Sequence, residues 1–68
     1  MKNVKKGDVI ENENGIRKTV IAFLVDNICV VKNEASGELT LEQIEKSKKY
    51  RKLKKDAKGD IVEEYEKD

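Results

Sequence analysis

The chain of 68 residues has no histidine and a single cysteine, Cys29. One cysteine excludes an internal disulfide, and without histidine a structural zinc site of the usual cysteine and histidine type cannot be assembled from one copy. Nor is there a glycine-rich phosphate loop, and the serines, Ser36 and Ser47, lie in polar stretches. No nucleophile has a base beside it, so an enzyme is not expected. Carboxylate pairs such as Glu11 and Glu13 or Glu63 and Glu64 sit in polar runs, without the burial that tunes an acid or base. Aromatics are scarce: Phe23, Tyr50 and Tyr65 are all there are. They cannot build a proline-reading groove or a methyl-lysine cage. No run reaches the roughly 18 apolar residues of a membrane span, and the opening Met1 to Lys6 lacks a signal-peptide apolar region. A cytoplasmic protein without cofactor or metal is expected.

Apolar content concentrates in Thr19 to Val25 and Ile28 to Val31, with Asp26 and Asn27 between. β-Branched and aromatic residues suit a pleated, buried surface, and a two-residue break that tolerates positive φ predicts a tight hairpin. Simple pairing sets Val25 against Ile28 and Phe23 against Val30, leaving Val20, Ala22, Leu24, Cys29 and Val31 on the other side. Both sides are apolar. A strand wet on one side would alternate apolar with polar, so the second side calls for cover by the chain's own C-terminal half, by a twin subunit or by a partner. The chain's own cover, or a bulge that re-aims side chains, is the expected solution. Cys29, inside this run, is expected to act as a small hydrophobe.

A short strand is predicted at Val9 to Glu11, after the turn pair Gly7-Asp8. Asn14-Gly15 then predicts a type I′ turn, and a long, bent strand runs from Ile16 to Val25. Residues 33–38 read as a loop. Thr40 and Gln43 match a capping box, with Leu41 and Ile44 on one face, and predict a short helix from Thr40. Residues 46–55 either extend that helix or form a strand. The spacing Asp56-Ala57-Lys58-Gly59 favours a hairpin into Ile61-Val62. It would set a basic strand over 49–55 against an acidic strand over 60–66.

Charged residues are 43% of the chain, yet the net charge is only +1. Their distribution is uneven. Residues 1–45 hold 6 basic and 8 acidic groups, 46–55 hold 7 basic and none acidic, and 56–68 hold 2 basic and 6 acidic. The basic run makes Lys48, Lys49, Tyr50, Arg51 and Lys52 candidates for contact with phosphates or an acidic partner, Tyr50 stacking on a base. Glu63, Glu64 and Glu66 form a second, acidic patch.

The series Lys6-Gly7-Asp8-Val9-Ile10, the strand from Gly15 to Val25, and Leu39-Thr40-Leu41-Glu42-Gln43-Ile44 resemble the small SH3-like proteins of bacteriophage and mobile-element genomes, over residues 5–53. The resemblance implies one small SH3-like domain over 1–68, a mainly β barrel of about five strands with one short capped α-helix. It also implies a non-enzymatic binding module, an accessory or inhibitor protein docking on a host protein complex. A protein partner or a homodimer is expected, with nucleic acid on the basic run as the alternative.

Overall fold

The computed structural model describes residues 4–25, 28–43 and 50–66. Six antiparallel strands, β1 (Val9–Glu11), β2 (Arg17–Val25), β3 (Ile28–Asn33), β4 (Leu39–Gln43), β5 (Arg51–Lys55) and β6 (Ile61–Tyr65), lie in the order β4-β3-β2-β1-β5-β6. They form a curled half-barrel, mainly β as expected. No helix among the described residues is long and apolar enough to cross a membrane.

The β2–β3 hairpin forms, and Val25 pairs with Ile28. Its register then departs from simple pairing. Ala22 lies opposite Val30 and Phe23 opposite Cys29, because the register shifts between Val20 and Ala22 and again between Phe23 and Val25. Ile21 and Leu24 are thus extra residues in β2, two bulges that bend the strand and re-aim its side chains. Val20, Cys29, Val31 and Ile10 of β1 make the buried core, with Val4 and Tyr50 packed against them.

The chain's own cover of the second side is a corrected expectation. Phe23, Leu24, Val25, Leu39 and Leu41 are all exposed. The cause is topological: the C-terminal hairpin attaches to β1, through Ile10 opposite Lys52 and Glu11 opposite Arg51, and does not lie across β2–β3.

The helix predicted from Thr40 is not formed over its first residues, which are β4. Leu39 to Gln43 pair in unbroken register with Ile28 to Lys32, Leu41 opposite Val30. A ladder along five residues outweighs one local capping box. The rest of that expected helix, residues 44–49, lies outside the described residues. From Arg51 onward the strand alternative holds: β5 pairs with β6, basic against acidic, and Lys54 Nζ stands 3.5 Å from the Glu64 carboxylate.

Two hairpins share one turn chemistry, and a third varies it. Asp56 Oδ1 accepts from the amides of Lys58 and Asp60, and the Gly59 amide donates to the Asp56 carbonyl, with Gly59 at φ 87°. Asn12 repeats this with the amides of Asn14 and Ile16, and with Gly15 at φ 79°. The turn therefore starts at Asn12, two residues before the predicted type I′ turn, and Asn14 does not take positive φ. At the third hairpin Asn33 Oδ1 accepts from the amides of Ala35 and Ser36, two and three residues on, and the Gly37 amide donates to the Asn33 carbonyl. A Cβ at Gly59 would meet nothing within 4 Å, so Gly59→Ala isolates the backbone strain. It should destabilise the chain by about 1 kcal/mol. Chemical denaturation checks this; no loss would mean that Gly59 is not held at positive φ.

Candidate functional site

Successive residues of a strand point to opposite faces, and β5 divides the predicted basic site accordingly. Arg51 places its guanidinium 3.8 Å from the centre of the Tyr65 ring and 4.0 Å from Glu11. Lys52 lies across from Ile10 on the core side, its ammonium 3.3 Å from Asp8. Tyr50 is partly buried against the core. Burial first, and then the nearby Glu42 carboxylate, raises its pKa. Lys48 and Lys49 lie outside the described residues. The described part of the basic run does not converge on one surface: Arg51, Lys52 and Lys54 face carboxylates, and the Lys55 ammonium donates to the Gly7 carbonyl.

The acidic patch is engaged as well. Glu63 accepts from both terminal nitrogens of Arg17, at 2.9 and 2.5 Å, while Glu64 meets Lys54. The Glu66 amide donates to the Lys52 carbonyl at 2.7 Å. Glu11 corrects an expectation: read from the sequence as an unburied carboxylate in a polar run, it is only 7% exposed and gathers three of these side chains. It takes Arg17 Nε at 3.0 Å and the Tyr65 hydroxyl at 2.5 Å. The Tyr65 hydrogen bond, and then Arg17, hold its carboxyl below the ordinary value. Arg17 lowers Glu63 in the same way, and the bond to Glu11 raises Tyr65. The cluster joins β1, β2, β5 and β6. Its charges satisfy one another, which makes it a structural clip. The cross-strand pair Glu11–Arg17 would have been legible with the turn placed at Asn12.

On the core side, Lys18 Nζ donates to Glu42 Oε1 at 2.8 Å. The Cys29 thiol is buried and donates weakly to the Glu42 carbonyl at 3.7 Å, and burial raises its pKa. A buried, unactivated thiol fits the expected hydrophobe. Thr40 Oγ1 is buried and has no hydrogen-bond partner among the described residues.

The outer side of β2–β4 is different. Leu41, Val30 and Ala22 stand in one cross-strand row, and Gln43, Ile28 and Val25 in the next. Leu39, Leu41 and Val25 are 59%, 62% and 62% exposed. The row ends at β4, whose one strand neighbour among the described residues is β3. An apolar strip thus borders a sheet edge that has no further strand among the described residues. Comparison of the sequence with family models and curated proteins, and of the fold with solved structures, finds no match to any of them.

Proposed function

We propose that this protein is a non-enzymatic binding module that docks a protein partner on the outer side of β2–β4 and along the β4 edge. One observation carries the reading: Leu39 and Leu41 stand in water on an edge strand, while Arg51, Lys52 and Lys54 of β5 already face the carboxylates of Glu11, Asp8 and Glu64. Exposed apolar surface costs solubility unless something covers it, and an edge strand offers backbone donors and acceptors to that cover. The likeness of residues 5–53 to small SH3-like phage and mobile-element proteins extends this to an accessory or inhibitor that docks on a larger host complex. The half-barrel curl supports that likeness, and β4 in place of a helix counts against it.

Leu41→Lys tests the reading. Binding of an apolar fluorescent dye should fall, while circular dichroism keeps the β signal of the unaltered chain. An unchanged dye signal would remove the strip as the docking surface. Nucleic-acid affinity that drops steeply with salt and with Lys48→Glu and Lys49→Glu would replace a protein partner with phosphate contact.

A further inference from the structure

The protein partner of the β4 edge can be narrowed to one kind, on the premise that this edge is the docking surface. Among the described residues the half-barrel has two edges without a further strand, β4 and β6, and they are not alike. On β6 the register against β5 slips between Leu53 and Lys55, Glu63 within that stretch takes φ 57°, and Glu63 and Glu64 crowd the strand with charge. Bulges and charges are what guard an edge against added strands. β4 has neither a bulge nor a net charge: its five pairs with β3 run without a shift, and its one charged side chain, Glu42, is neutralised by Lys18. β4 is the unguarded edge.

We infer that β4 pairs antiparallel with β4 of a second copy, about a two-fold axis at Leu41. Side chains directly opposite share a face, so the outer side of one copy stays continuous with that of the other only when the axis passes through a residue. Three centres are then available in mid-strand. An axis at Glu42 sets Glu42 against itself, and one at Thr40 sets Glu38 against Glu42; both oppose like charges. The axis at Leu41 opposes none. It sets Leu41 against Leu41, Leu39 against Gln43, and Thr40 against Glu42.

Two observations fit this register. The exposed apolar side chains of β4, Leu39 and Leu41, each gain a cross-strand neighbour on the outer side. On the inner side, the buried Thr40 hydroxyl, without a partner among the described residues, comes to face the carboxylate of the second copy's Glu42. A carboxylate holds enough lone pairs to keep Lys18 and accept one more donor. The sheet thereby doubles, and the apolar strips of the two copies meet at their ends.

The test is a cysteine register scan in a Cys29→Ala background. Directly opposed strand residues have Cα atoms about 4.5–5.5 Å apart, within disulfide reach. Leu41→Cys should therefore cross-link to a dimer under mild oxidation. Leu39→Cys alone should not, because its own copy lies four positions away, about 14 Å; Leu39→Cys with Gln43→Cys should cross-link. Light scattering of the unaltered chain should give twice the 7.8 kDa of one copy, reverting to one copy in Leu41→Lys. Should Cys29→Ala not fold, the scan runs with the buried Cys29 kept and the linked peptides mapped.

A single-copy mass at every concentration, with no Leu41→Cys cross-link, overturns the inference. If the apolar dye then still binds and Leu41→Lys still removes it, docking of a different protein stands without the second copy. If the dye does not bind, both fall. Cross-linking through Leu39→Cys alone overturns the two-fold at Leu41.

Discussion

Ile10→Ala should leave most of the chain unfolded in mild denaturant and a substantial fraction unfolded without it. Ile10 is fully buried and belongs to the cluster with Val20, Cys29 and Val31. Its strand carries the only strand pairing between the β2–β4 meander and the C-terminal hairpin among the described residues. Truncating a buried isoleucine to alanine costs about 2–5 kcal/mol, the lost transfer energy plus the cavity left behind. A single core in a chain this short supplies about 3–5 kcal/mol of net stability. The loss thus approaches the whole margin. Circular dichroism across a urea series measures it, with the exposed turn substitution Lys58→Ala as the control, expected within about 0.5 kcal/mol of the unaltered chain. A cost for Ile10→Ala below about 1 kcal/mol would show that the core lies elsewhere.

Glu11→Ala should produce the second-largest loss. The change removes the acceptor for the Tyr65 hydroxyl and for Arg17 Nε, and the carboxylate nearest Arg51. Arg17 and Arg51 still reach water, so the cost at neutral pH is about 1–2 kcal/mol, the lower part of the range for hydrogen bonds to a charged group. The acid side carries the sharper signature. The Glu11 carboxyl is held below its ordinary value of 4.5, first by Tyr65 and then by Arg17. Arg17 lowers Glu63 likewise. A carboxyl depressed in the folded state adds stability above its unfolded value, and that contribution disappears as pH falls through the lower, folded value. Stability should therefore decline from about pH 4.5 downward, and the decline should be shallower in Glu11→Gln and in Tyr65→Phe. Urea midpoints between neutral and acid pH read it directly. An acid limb identical in all three proteins would mean the cluster does not couple to folding.

How much was legible in the sequence depended on whether the deciding force was local. The hairpin around Asp26 and Asn27 was, because Val20 to Val25 and Ile28 to Val31 are β-formers on both sides of a short break. So was the turn at Asp56, where aspartate first and glycine fourth satisfy their own amides. The same chemistry at Asn12 was missed in favour of the adjacent Asn14-Gly15, and with it the register that pairs Glu11 with Arg17. β4 was misread because Thr40 and Gln43 offer a helix cap within four residues, while the opposing ladder comes from β3, about ten residues earlier in the chain. The bulges at Ile21 and Leu24 answer to the curvature of the whole sheet, which no window of sequence contains. For the candidate site, alternation along β5 could have warned that Arg51 and Lys52 point apart; their acidic partners, Glu11 and Asp8, come from the opposite end of the chain.

The placement of β1 between β2 and β5 also governs the order of assembly. β2, β3 and β4 are neighbours in sequence and can zip together as soon as each is available, whereas Ile10 must wait for Lys52. Loop closure over that span is the slow, entropically costly step. Until it happens, a growing chain displays β1 as well as β4 as an unpaired rim, and for that interval it is most prone to stick to its neighbours.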